Sequence, residues 1–199
     1  MADRLDDEAL DQLFRNARTR RGWSPRPVSE SQLRELYDLL RLGPTSANCS
    51  PARFLWVCSA EGKARLASRA SESNRARIIA APVTVIVGFD LEFFEQMPKL
   101  VPGPGGLSYR ERFKNDPAAA QTTAFRNSSL QGGYLIMAAR ALGLDCGPMS
   151  GFDNAAVDAE FFAGTRVQSN FICSIGYGTD ENLRPRSPRL EFEEACRLA

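Results

Sequence analysis

The stretch from Gln121 to Leu142 constrains this chain most. Phe125, Leu130, Tyr134, Leu135, Met137, Ala138, Ala141 and Leu142 put apolar groups on several sides of one long helix. A helix apolar all round must be covered all round, so this one needs packed layers about it. Gly132-Gly133 in its middle costs on the order of 2 kcal/mol against alanine. Another backbone approaching closely, as at a dimer axis, would compensate.

The rest of the pattern alternates helix and strand. Asp6 to Arg18 reads as a helix with an acidic first turn and a basic last turn, matching its dipole. Ser29 and Gln32 form a capping box for a helix with Leu33, Leu36, Tyr37 and Leu40 on one face. Phe54–Cys58, Pro82–Phe89 and Asn170–Gly176 are dense apolar runs read as strands. A charged helix covers 60–71, and Asp153 caps a short helix ending near Phe162. Residues 90–120 carry Pro98, Pro102, Pro104 and Pro117, and read as a mobile excursion with little regular structure, of the kind that often covers a site. Three strands among more helix predict a single α+β or α/β layered domain over 1–199.

Two bends interrupt this pattern: Gly43-Pro44-Thr45-Ser46-Ala47-Asn48-Cys49-Ser50-Pro51 and Gly147-Pro148-Met149-Ser150-Gly151-Phe152. Side chains this short let backbone come close to a flat polar ligand and line its edge with amides and hydroxyls. Arginines cluster near both ends of the chain, in Arg18-Thr19-Arg20-Arg21 and around Arg186 and Arg189. Guanidinium forks beside a hydroxyl suit a phosphate.

Composition narrows the chemistry. The chain has no histidine, which excludes Ser-His-Asp and Cys-His catalysis and histidine metal sites. Its five cysteines are scattered and never form a CxxC pair, as expected of reduced core thiols. Net charge is +1, which gives no global field for nucleic acid. No apolar run reaches the roughly 20 residues that span a bilayer, and the acidic N-terminus lacks a signal-peptide core. The expected location is the cytoplasm. With side-chain chemistry so restricted, an organic cofactor fits best.

The order of these motifs resembles the nitroreductase family of FMN-dependent oxidoreductases. The likeness runs from the Arg/Thr/Arg cluster ending in Trp23, through Pro44-Thr45-Ser46-Ala47-Asn48-x-x-Pro51 and Asn74, to Ala81-Pro82-Val83. It continues through Ala141-Leu142-Gly143-Leu144, the second bend and a basic Pro185-Arg186-x-x-Arg189-Leu190. The resemblance implies a nitroreductase-like α+β fold, a central mainly antiparallel sheet flanked by helices, and a homodimer with an exchanged C-terminal segment. It places Arg18, Thr19, Arg21, Arg186 and Arg189 on the FMN phosphate and ribityl chain. Thr45, Ser46, Asn48 and Asn74 fall near the ring, and Pro148, Met149, Ser150 and Gly151 beside N5. Many relatives carry a carboxylate where this chain has Ser150.

The segments Gly43–Arg53, Phe125–Ser129 and Gly147–Asp153 are most similar to the malonic semialdehyde reductase group. That likeness implies ping-pong reduction of 3-oxopropanoate to 3-hydroxypropanoate, with NAD(P)H as hydride source and water or a hydroxyl as proton source. Arg126 and Asn127 are the expected substrate contacts. A broad nitro- or quinone reductase and a non-catalytic flavin-binding protein stand as alternatives.

Overall fold

The computed structural model describes residues 3–199. In chain order its helices are α1 (Asp7–Leu10), α2 (Glu30–Leu40), α3 (Ala60–Ser68), α4 (Glu72–Ala80), α5 (Met97–Leu100), α6 (Pro104–Asn115), α7 (Pro117–Ala141), α8 (Asn154–Phe161) and α9 (Phe192–Ala195). The strands are β1 (Gly22–Trp23), β2 (Ala52–Val57), β3 (Val83–Asp90), β4 (Asp145–Met149), β5 (Val167–Gly176) and β6 (Gly178–Thr179).

Four strands form an antiparallel sheet in the order β2-β3-β5-β4. β3 lies inside it and is buried along nearly its whole length, which its run of β-branched residues suits. Its side chains alternate between two cores. Val85 and Val87 meet Leu36 and Leu40 of α2 and Leu135 and Ala139 of α7 on one face. Ile86 points the other way, into Leu66 of α3, Ile78 of α4 and Val157 of α8. The sheet is therefore the middle of three layers.

The Ser29–Gln32 capping box forms as expected, with the Ser29 N–H donating to Gln32 Oε1 at 3.0 Å and the Gln32 N–H to Ser29 Oγ at 3.2 Å. Asp153 caps α8 at 3.0 Å. Elsewhere the structure corrects the pattern. The first helix is short and passes into a π turn at Asp11–Arg15. The charged helix stops at Ser68, and α4 follows as a separate element carrying Asn74. Residues 90–120 are largely helical. Pro98, Pro104 and Pro117 each sit in the first turn of a helix, where no N–H is needed. Phe93, Met97 and Phe113 then pack with Cys49 and Phe89 into a third core.

The long helix is not covered on every side either. Phe125 and Leu130 are exposed, while Asn127, Ser128 and Gln131 are buried. Gly132 meets the sheet of its own chain: a Cβ there would lie 2.4 Å from the Phe171 ring. Gly133 faces open space. Among the described residues no helix is long and apolar enough to cross a membrane.

Candidate functional site

The arginines of the two chain ends converge. A cleft of about 500 Å³ is lined by Arg18, Thr19 and Arg21 from the N-terminal loop and by Arg184, Arg186 and Arg189 from the C-terminal one. Thr19 bridges Cys146 of β4 and the Arg20 N–H donates to the Cys146 carbonyl at 3.0 Å, which fixes the loop to the sheet edge. Arg186 donates to the carbonyls of Arg15 at 2.6 Å and Ala17 at 3.0 Å, and Arg18 donates to that of Arg184. No carboxylate side chain lines the cleft, and among the described residues none of these five arginines makes an ion pair. Arg20, between them, behaves differently: it pairs with Asp145 at 3.2 Å and Asp180 at 2.5 Å. Exposed arginines normally find carboxylates or water, so an unpaired group of this size is arranged for an anion.

Arg21 and Arg184 also line a second cleft, of about 620 Å³, along α4. There Arg77 is held with its Nε buried and without a hydrogen-bond partner, as is Trp23 Nε1. Burial, then the neighbouring Arg21 and Arg184 guanidiniums, push the Arg77 pKa below its ordinary value. A donor left unsatisfied costs on the order of 1–3 kcal/mol, and a ligand with acceptor atoms on its edge would relieve it. Neither Arg77 nor Arg184 is singled out by the sequence pattern; the spacing Asn74-x-x-Arg77 on one helix face was the available signal.

Arg77 donates to Asn74 Oδ1 at 3.1 Å, and Asn74 Nδ2 donates to the Gly151 carbonyl at 3.0 Å. That carbonyl also accepts from the Ser71 N–H at 2.9 Å. A Cβ on Gly151 would lie 2.7 Å from Ser71 Oγ and 2.9 Å from Asn74 Nδ2, so only glycine lets this backbone come so close. Asn74 and the second bend therefore meet directly. The first half of that bend is strand rather than turn. Pro148 sits in β4 at the edge of the sheet, where a missing N–H is tolerated. Met149 turns its side chain into the core, leaving only its backbone for a ligand. Ser150 and Gly151 line a third cleft, of about 470 Å³, with Ser71 and Arg75.

The first bend lies elsewhere. It leads into β2, at the opposite edge of the sheet from β4, three strand spacings or roughly 14 Å away. Within one chain the two bends do not close on a common ring, and none of the three clefts takes a residue from Gly43–Pro51. Ala47, Asn48 and Ser50 all have positive φ, at 49°, 53° and 39°. Non-glycine residues held this way are strained by about 1–3 kcal/mol each and need support.

That support explains Asn127. It is 1% exposed: its Oδ1 accepts from the Ser46 N–H at 2.8 Å, and its Nδ2 donates to the Thr123 carbonyl at 2.8 Å. Asn127 is thus a brace for the bend, with both ends of its amide engaged inside the protein. Thr45 Oγ1 accepts from the Ser50 N–H at 3.1 Å, and Asn48 Nδ2 donates to the Leu100 carbonyl at 2.9 Å. Ser46 and Asn48 remain exposed. Cys49 is buried beneath them, and burial pushes its thiol up to about 11, which leaves it protonated and unreactive. Arg126 is exposed and lies outside all three clefts.

Sheet order and flanking layers define a nitroreductase-like α+β protein, and solved structures superpose on it almost end to end. Residues 4–177 match the nitroreductase family, and the chain belongs to that family. A protein of Caulobacter sp. strain K31, provisionally named NADH dehydrogenase/NAD(P)H nitroreductase, is 62% identical over 98% of both chains. A nitroreductase from Exiguobacterium sibiricum, solved in complex with FMN, shares the fold at TM-score 0.86 and 21% identity over all of both chains. An NAD(P)H:FMN oxidoreductase of Staphylococcus epidermidis does so at TM-score 0.83 and 19% identity, covering 100% of this chain and 98% of its own.

Proposed function

We propose that this chain is an FMN-dependent NAD(P)H oxidoreductase that works as a homodimer on a small electron-poor acceptor. The carrying observation is the arginine cleft without carboxylates, joined through Arg21 and Arg184 to the groove of Arg77, whose guanidinium donates to Asn74, which in turn donates to the Gly151 carbonyl. Arg18, Thr19, Arg186 and Arg189 would hold the phosphate. Arg21 and Arg77 would meet acceptor atoms on the ring edge, and Arg77 would then gain the partner that its Nε lacks. Asn74 keeps the Ser150–Gly151 backbone close enough to pass the ring. Bound FMN would supply hydride exchange between NAD(P)H and the acceptor. Thr45, Ser46 and Asn48 would come from the partner copy, because in one chain they stand at the far edge of the sheet. An exchanged C-terminal segment belongs to the same reading.

For the acceptor, the finer reading is 3-oxopropanoate, with Arg126 binding its carboxylate from an exposed position on α7. A broad nitro- or quinone reductase is the second reading. It is favoured by the position of Arg126 outside the clefts and by the names of the relatives.

The visible spectrum of the purified protein tests the first part: it should be yellow and should bleach with NADPH in the absence of oxygen. A colourless protein that does not take up added FMN overturns the flavin reading, and one that stays yellow with NADPH is a flavin carrier. Comparing kcat/KM for 3-oxopropanoate and a nitroaromatic then decides the acceptor. Arg126→Ala should raise KM for the aldehyde acid roughly tenfold or more, the cost of a charged hydrogen bond, with little effect on a neutral quinone. Equal effects on both remove Arg126 from the substrate site.

A further inference from the structure

The arginine cleft is too large and too basic for one phosphate. Its lining includes six guanidiniums, since Arg140 joins the five from the loops. A phosphate monoester carries a charge of about −1.5 to −2 at neutral pH. It has roughly the bulk of three waters, on the order of 100 Å³, in a cleft of about 500 Å³. The end shared with the α4 groove is marked by Arg21 and Arg184, so the phosphate of a ligand whose ring lies in that groove enters there.

Phe14, on the π turn, and Arg140, near the end of α7, line this cleft but not the α4 groove, and so mark its distal part. Arg140 donates to the Leu13 carbonyl at 2.9 Å, which ties that turn to the helix. Phe14 is 55% exposed there, a flat apolar face beside guanidiniums that pair with no carboxylate among the described residues. The nearby Asp7 and Asp11 do not neutralise this end, because Arg15 binds both, at 3.1 and 2.9 Å.

We infer that this distal half of the cleft binds an adenosine monophosphate unit, its phosphoryl group on Arg140 and its purine on the face of Phe14. The inference rests on the flavin reading for the near half. Two molecules present that unit: a flavin dinucleotide, whose first phosphate fills the near half, and the nicotinamide dinucleotide that reduces the flavin. Aromatic faces and guanidinium groups together recognise a phosphorylated base in just this way.

Flavin-stripped protein titrated with FMN and with FAD, followed by flavin fluorescence, tests the first source. FMN-loaded protein titrated with AMP by calorimetry tests the second. FAD binding within tenfold of FMN, weakened about tenfold or more by Phe14→Ala while FMN binding holds within twofold, supports the dinucleotide flavin. FAD exclusion with AMP binding that Phe14→Ala abolishes supports the reductant. Tight FMN binding with neither response overturns the distal site and leaves the proposed function standing. If FMN itself does not bind, the flavin reading falls. Calorimetry of AMP on the bare chain, with and without Phe14→Ala, then decides the distal site independently.

Discussion

The two bends carry similar residues and solve opposite problems. Gly147–Phe152 is half strand, contains no positive φ, and brings its Gly151 carbonyl inward onto Asn74 and Ser71. Gly43–Pro51 holds three non-glycine residues in the left-handed region and turns Ser46 and Asn48 outward. The inward bend is complete within its own chain, tied through Asn74 to Arg77 of the α4 groove. The outward one is strained and braced by Asn127 and Tyr134, whose hydroxyl donates to the Pro44 carbonyl at 2.8 Å, yet none of the three clefts described takes a residue from it. Strain maintained at an exposed surface points to a ligand outside the chain, and in the proposed homodimer a second copy would bring one.

Mixing two inactive variants is the sharpest way to break that comparison. Ser46→Trp blocks the outward bend and Arg18→Glu reverses charge in the cleft, and each alone should reduce NADPH oxidation to near zero. If each pocket joins the bend of one copy to the cleft of the other, a mixed pair has one wholly intact pocket. Random re-pairing of equal amounts should then restore about a quarter of wild-type activity, half the pairs being mixed and half their pockets sound. No recovery on mixing would place both bends in separate roles and end the shared-pocket reading.

The sequence made the inward bend readable and hid the supports of the outward one. Arginine clusters and a Pro-Gly turn show in the pattern because charge and turn chemistry are local. The family likeness picked out Asn74 and Gly151 one by one, while their mutual contact shows only in the fold. Asn127 is ambiguous in sequence, because a polar residue on a long helix looks the same whether it faces a substrate or the amide of a strained bend. Only the buried Ser46 contact tells them apart. Gln131 repeats the lesson, with its Oε1 accepting from the Ala52 N–H at 2.9 Å where β2 begins. The helices of 93–115 were obscured by prolines counted as breakers without regard to position, and β4 by a proline that an edge strand accepts.

The paired glycines of α7 sharpen the comparison at smaller cost. Gly132 faces β5 and already touches Phe171, so Gly132→Ala should destabilise by about 1–3 kcal/mol through overpacking. Gly133 looks outward. In dilute protein Gly133→Ala should stabilise by up to about 1 kcal/mol, the ordinary helix preference. Urea unfolding at several protein concentrations reads both. A gain that reverses as concentration rises puts the second copy against this face of α7, whereas a constant gain puts it elsewhere.

The smallest effect concerns the strain itself. Ala47 at φ 49° bears a cost of about 1–2 kcal/mol that glycine would not, while glycine gives up about 0.5–1 kcal/mol in the unfolded chain. Ala47→Gly should therefore stabilise an isolated chain by about 0.5–1 kcal/mol in urea unfolding. Its methyl group is exposed in the single chain, so no packing is lost there. A measured loss instead of a gain would mean that something presses on that methyl group in solution. The outward bend would then be outward only until its partner arrives.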